Sequence, residues 1–300
     1  EIVGDATPRA PLSNQLNLGE LYPPKRGDEH RVANRTDFKK IEIGALIAGG
    51  GIAGSALFRY MSDAGLNPVL VNADRGSSWR NIGGGRTAFS LPELAEIAEH
   101  NHAIFKELQK ISNIDYKTTR YINLAHDEST FNALDASRAW SDAFMVDPKN
   151  FHKEISPYFS TKSKRYLGAL ITNDCWQATP GKVVDLIRNM GVSAGGRIVE
   201  DCKVLEVMKE GSTYSILVLT HDKKYVEFRT EIFVNALGAG AGKICEGLGI
   251  HAGLYPVRHQ AFITRRLPML GKNGDSLDML IDRQEYKGFS AVYGQQLLHT

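Results

Sequence analysis

Cysteine is scarce in this chain. Cys175, Cys202 and Cys245 are its only three, widely spaced and without a CxxC pair. An odd, scattered set argues against a disulfide framework and a Cys-based zinc site, and it suits a reducing compartment, so a cytoplasmic protein is expected. Long apolar runs are missing too, and nothing approaches the roughly 18 uninterrupted apolar residues of a membrane span. Charge of one sign is also missing: 36 Lys and Arg against 34 Asp and Glu leave +2 at pH 7. That balance argues against nucleic acid as a partner, because phosphate backbones call for a concentrated basic face. There is no HExxH and no Walker A, so self-contained metal or phosphoryl chemistry is not indicated. His100 and His102 stand two apart on a helical pattern. That spacing points them to different faces. They read as surface histidines, and no metal is expected.

What is present is ordinary globular material, 42% hydrophobic and 23% charged, in 300 residues. That length suits one large domain or two interleaved ones. Residues 1–40, with Pro8, Pro11, Pro23 and Pro24, show no period and read as an irregular N-terminal arm. From residue 41 the pattern sharpens. An apolar run over 43–48 enters Gly49-Gly50-Gly51-Ile52-Ala53-Gly54, a helical pattern follows over 55–64, Gly65 stops it, and Pro68-Val69-Leu70-Val71 is a second buried-type strand. This is a βαβ unit. Further on, an amphipathic helix is expected over 92–111 with Leu94, Ile97, Ala98, Ile104, Phe105, Leu108 and Ile111 facing inward. Short strands and turns are expected over 113–177, a helix over 182–190 and one strand over 197–207. A hairpin from 214–219 and 225–228, an apolar strand over 231–236, a strand over 255–264 and a hairpin-like end over 288–298 complete the pattern.

Gly49, Gly51 and Gly54 stand at the spacing GxGxxG between the first strand and the helix. Each glycine has its own reason: a tight turn, backbone approach to a pyrophosphate, and close packing of helix on strand. The helix N-terminus then offers free N–H groups and its positive dipole end to the phosphates. The fingerprint also asks for an acid at the end of the second strand, to accept from the adenosine ribose. That position holds Asn72, with Asp74 two residues on. Asn72 accepts as a neutral group, about half as strongly as a carboxylate.

Four segments together resemble the amine-oxidising flavoproteins of the D-amino acid oxidase, glycine oxidase and sarcosine oxidase family. They are the glycine turn with Asn72; the loop Ser77-Ser78-Trp79-Arg80-Asn81-Ile82-Gly83-Gly84-Gly85; the return strand Phe233-Val234-Asn235-Ala236-Leu237-Gly238-Ala239-Gly240; and Pro256-Val257-Arg258-His259-Gln260. The resemblance implies an α/β fold of the glutathione-reductase-like kind: a Rossmann-like FAD-binding domain with a β-rich substrate domain inserted. The FAD domain would be discontinuous, over 41–112 and 178–255, and the substrate domain would take 113–177 and 256–300. Family members continue beyond this point, so part of the substrate domain is expected past Thr300 or from a second chain.

By matching positions, Gly49, Gly51, Ile52, Ala53 and Gly54 would hold the pyrophosphate and Asn72, with Asp74 as the other candidate, the ribose. Ser78, Arg80 and Asn81 would line the phosphates and ribityl chain, and Gly84 and Gly85 would approach the flavin ring. Val204 would present its backbone to adenine, and Ala236 and Gly238 would cover the cofactor. His259, Tyr286 and Tyr293 are the substrate-side candidates, with a core or packing role as the alternative for each. The implied activity is oxidation of the C–N bond of an amino acid or amine. Hydride would pass to flavin N5, and oxygen, a quinone or another carrier would take the electrons onward. Two rivals stand beside it: a flavin-binding subunit completed by a partner or non-catalytic, and an NAD(P)-linked dehydrogenase. The second explains the βαβ unit but not the later loops.

Overall fold

A computed structural model describes residues 38–73, 75–89, 91–140, 142–159, 165–257, 278–282 and 292–294. In chain order the elements are β1 (Lys39–Glu42), β2 (Ala45–Ala48), α1 (Ile52–Asp63), β3 (Pro68–Val71), β4 (Gly84–Gly85), α2 (Pro92–Ile111) and β5 (Lys117–Ala125). There follow α3 (Glu128–Ala136), β6 (Ala143–Val146), α4 (Phe151–Glu154), β7 (Gly168–Gln177), α5 (Pro180–Ser193), β8 (Arg197–Val199) and β9 (Lys203–Glu210). The last are β10 (Thr213–Leu219), β11 (Tyr225–Thr230), β12 (Phe233–Asn235), α6 (Ala241–Gly247), β13 (Met279–Asp282) and β14 (Val292–Gly294). Among the described residues no helix is long and apolar enough to cross a membrane.

These residues divide into two compact units, one up to Asn81 and again from Val183, the other from Ile82 to Lys182 with β13 and β14. The first unit is built on a parallel sheet in the order β12-β2-β3-β8. Leu46, Ala48, Val69 and Val71 pack to one side of it with Val204, Ile216, Phe228 and Ile244. Ile47, Leu70 and Ile198 pack to the other side against Phe58 of α1. Burial on both faces is why β2 and β3 read as unbroken apolar runs rather than alternating ones. Phe58 is fully buried, and it fits because Gly191 and Gly196 have no side chain: a Cβ at either would meet its ring at 2.5 Å. The same unit holds a second sheet in the order β1-β11-β10-β9, in which the expected hairpin is β10 and β11.

Two expectations change here. The single strand foreseen over 197–207 is two strands in two different sheets. Asp201 breaks it with a left-handed φ of 54°, and the Cys202 N–H turns back to donate to the Asn72 carbonyl at 2.9 Å. The arm foreseen over 1–40 lies outside the described residues up to position 37, while Lys39 and Lys40 belong to β1, in parallel register with Val226 and Glu227.

In the second unit the described sheet runs β14-β13-β5-β7-β4, with β6 also on β7. Residues 113–177 therefore hold two long antiparallel strands, β5 and β7, with α3, the short strand β6 and α4 inserted between them, rather than a run of short strands alone. Arg120 of β5 ties in the start of β13, donating from Nε to Asp278 Oδ2 at 3.0 Å and from its backbone N–H to Oδ1 at 3.2 Å. The division between units comes at Asn81/Ile82 and Lys182/Val183 instead of near residues 112 and 178, because β4 pairs with β7 and α2 packs against the same sheet. The strand foreseen over 255–264 lies outside the described residues from 258 onward, and 255–257 carry no regular structure.

Helix α2 is where foreseen, but its buried stripe is Ala95, Ala98, His102 and Leu108, while Leu94, Ile97 and Ile111 are exposed. Small residues let the helix approach closely enough for a ring–ring contact to form. His102 is buried, not a surface residue: it stacks on Trp176 with centroids 4.5 Å apart, and its Nε2 lies 2.7 Å from the Tyr116 hydroxyl. Burial lowers its pKa below the ordinary histidine range, against the opposing pull of Asp174, whose Oδ2 is 3.5 Å from Nδ1. The unfolded chain therefore takes up this proton more readily than the folded one, and stability falls as pH drops below the ordinary histidine value. In urea titrations the loss of stability between pH 7.5 and pH 5.5 should be smaller in His102→Gln than in the parent. An identical pH slope would remove His102 from the account.

Candidate functional site

The glycine turn is held from four directions. Gly49 leaves β2 with φ +105°, a backbone that L side chains rarely adopt, and its N–H donates to the Val71 carbonyl at 2.8 Å. A Cβ on Gly49 would lie 2.3 Å from the Ala236 carbonyl oxygen, and one on Gly54 would lie 1.9 Å from the Gly49 carbonyl oxygen. The helix thus begins in direct backbone contact with the strand exits, which is the packing role the third glycine was expected to have. Ala236 closes the turn from β12, its N–H donating to the Ala48 carbonyl at 2.8 Å. Ala236 also packs against the core formed by Ile47, Phe58, Leu70 and Ile198.

Gly51 is the N-cap of α1 and supplies no side-chain cap; the first turn holds no acidic residue. First-turn N–H groups have no acceptor within their own helix. One of them, at Ile52, donates to Ser78 Oγ at 3.0 Å, so Ser78 seats the loop after β3 onto the helix start. Asn81 fixes that loop in turn, donating from Nδ2 to the Ser78 carbonyl at 2.7 Å, while Arg80 stands exposed. Trp79 Nε1 is buried with no partner among the described residues. A donor of that kind, a helix start without acidic groups and a turn too tight for any Cβ all fit an anionic dinucleotide.

Asn72 does not stand open to a ligand as its place in the fingerprint suggests. Its Oδ1 accepts from the Gly50 N–H at 3.1 Å, and its Nδ2 donates to Glu200 Oε2 at 2.9 Å. Glu200 also pairs with Arg188 of α5, Nη2 to Oε1. Sequence reading passed over Glu200, although it lies one residue past β8, the parallel neighbour of β3. Asp74 lies outside the described residues. Val204 is in β9 with its side chain in the core, and Gly238 follows β12 with φ +56°.

Gly84 and Gly85 belong to the second unit. A Cβ on Gly84 would meet the Tyr121 hydroxyl at 2.4 Å and Met279 Cε at 2.5 Å, and one on Gly85 would meet the Trp176 ring at 2.0 Å. Packing on their own sheet is thus a sufficient reason for both glycines. Of the substrate-side candidates, His259 and Tyr286 lie outside the described residues. Tyr293 is in β14, opposite Ile281 of β13.

The turn yields a direct expectation. Gly54→Ala should lower the flavin-to-protein ratio of the purified protein and cost about 1–3 kcal/mol of stability through overpacking. Gly247→Ala, where a Cβ meets nothing within 4 Å, should leave both unchanged. A fully loaded Gly54→Ala protein with parental stability would contradict the geometry.

The chain is 26% identical over 240 residues to anaerobic glycerol-3-phosphate dehydrogenase subunit A1 of Haloferax volcanii, covering 70% of this chain and 39% of that protein. It is 23% identical over 227 residues to 4-methylaminobutanoate oxidase (formaldehyde-forming) of Paenarthrobacter nicotinovorans, covering 72% of this chain and 27% of that protein. The chain thus spans well under half the length of these two relatives. Among solved structures, L-proline dehydrogenase from P. horikoshii superposes with a TM-score of 0.69 at 21% identity, over 87% of this chain and 68% of that one. Residues 45–292 match the DAO family model, described as FAD dependent oxidoreductase. With that match spanning the glycine turn, the return strand and the second unit, the chain belongs to the FAD-dependent oxidoreductases of the DAO family.

Proposed function

We propose that this chain is the FAD-holding part of an oxidoreductase that oxidises the C–N bond of an amino acid or a primary or secondary amine. The observation that carries the reading is the turn from Gly49 to Gly54, closed by Ala236 and roofed by Ser78, which leaves the start of α1 to an anionic ligand. Similarity to a methylaminobutanoate oxidase supports an amine donor, and similarity to a glycerol-3-phosphate dehydrogenase makes an alcohol the competing donor. When bound, the flavin supplies the hydride acceptor for the carbon bearing the amine, and water hydrolyses the resulting imine. The chain's own part is to bind and position.

In this reading the first unit is the FAD unit. Gly51, Ile52, Ala53 and Ser78 take the pyrophosphate, Arg80 and Asn81 lie along the phosphate and ribityl side, and the Val204 backbone meets adenine. The second unit is the substrate unit, with Tyr293 its remaining described candidate. Oxygen or a quinone-type carrier reoxidises the flavin. A cytoplasmic setting is consistent with Cys175 and Cys202, free thiols whose pKa burial pushes up to about 11.

Purified protein should carry an oxidised flavin spectrum, and anaerobic addition of L-proline, sarcosine or glycine should bleach it with at least one of the three. Bleaching by sn-glycerol 3-phosphate and by none of the amines would replace the amine with an alcohol donor. A flavin spectrum that no donor bleaches would favour a subunit completed by a partner.

A further inference from the structure

The fingerprint places a negative charge beside the adenosine ribose, and position 72 has none. The structure shows where a charge stands instead. The last register pair between β3 and β8 is Val71 with Val199, and the pairing runs on past both strands. The Asn72 N–H donates to the Val199 carbonyl at 3.0 Å, and the Cys202 N–H to the Asn72 carbonyl at 2.9 Å. Asn72 and Glu200 are thereby set side by side at the carboxyl ends of adjacent parallel strands, the edge at which open α/β sheets bind their ligands. Their side chains meet, Nδ2 to Oε2, at 2.9 Å.

We propose that Glu200 accepts the adenosine ribose hydroxyls of FAD, the carboxylate having moved one strand over from its usual place. The proposal rests on the FAD reading of the first unit. Asn72 becomes the joint: one end of its amide holds the Gly50 N–H of the phosphate turn, and the other holds the acid. Arg188, 9% exposed at its side chain, pins the second carboxylate oxygen and so limits the rotamers of Glu200. The Glu200 side chain is itself 20% exposed, open enough to be reached. A carboxylate offers about four lone-pair sites, and the two bonds to Asn72 and Arg188 leave room for ribose hydroxyls. A neutral amide alone would hold them with about half the strength.

The alternative is that Glu200 only clamps β3, β8 and α5 together. The two readings separate by probe. Apoprotein from riboflavin-starved cells is titrated with FAD, ADP and 2′-deoxy-ADP. The parent should bind FAD, and should prefer ADP to the deoxy compound by roughly tenfold, with FAD affinity falling about fivefold to tenfold in Glu200→Gln. That variant keeps a hydrogen-bonding group facing Asn72, and its preference for ADP over the deoxy compound should largely vanish. Unchanged FAD affinity, or equal loss of ADP and 2′-deoxy-ADP, would overturn the proposal. So would a parent protein indifferent to the 2′-hydroxyl, a result that stands even if the variant does not fold. Asn72→Glu, which restores the fingerprint, should weaken FAD binding by setting a second carboxylate against Glu200; tighter binding would also overturn the assignment. A parent that binds neither FAD nor ADP would instead overturn the FAD reading itself.

Discussion

Everything in the first unit follows from how closely α1 approaches the ends of the parallel strands. The gap at Gly54 is so small that a single carbon would lie 1.9 Å from the Gly49 carbonyl oxygen. Close approach brings the helix start, with its outward N–H groups, to the level of the strand exits, where β12 and β3 can both brace it. Ala236 and Ser78 then occupy fixed places around one turn. A wider helix–sheet distance would leave the same residues present and the cradle absent.

Asn72 extends that constraint across the sheet. Its side chain spans the glycine turn and the exit of β8, and its backbone pairs with Val199 and Cys202. The left-handed residue Asp201 lets the chain reverse between the two. This is why β8 and β9 cannot be one strand: the first belongs to the sheet that carries the turn, and the second leaves it to cover the core from the other side.

The βαβ unit was legible because each signal in it is local. Glycine spacing, two apolar runs and a stop glycine each act within a few residues, and the largest boundary shift is the helix start, which lies at Ile52 because Gly51 caps it. Resemblance over four segments added the family. What escaped reading is what depends on partners distant in sequence. His102 looked like a surface histidine because nothing near it in the chain announces Trp176. Leu94 and Ile97 looked buried because hydrophobicity outweighs size in any periodic pattern, whereas the approach of α2 is set by Ala95 and Ala98. Glu200 needs the register of β3 on β8 before its neighbour can be named. Gly84 and Gly85 were assigned to a ring approach, and the structure supplies another sufficient reason in Tyr121 and Trp176.

The place of β13 in the second unit has a consequence during synthesis. It pairs in parallel with β5, whose residues leave the ribosome 158 positions earlier, Met279 meeting Tyr121 and Asp282 meeting Leu124. Until then β5 has β7 on one side and an unfilled row of N–H and C=O groups on the other. Parallel pairs of such high sequence separation form slowly, because the loop must close before any contact rewards it. The nascent chain therefore carries an open sheet edge throughout the making of the whole returning half of the first unit. An edge of that kind recruits strands from other molecules. Expression temperature and chaperone supply, more than the stability of the finished fold, should govern how much of this protein is recovered soluble.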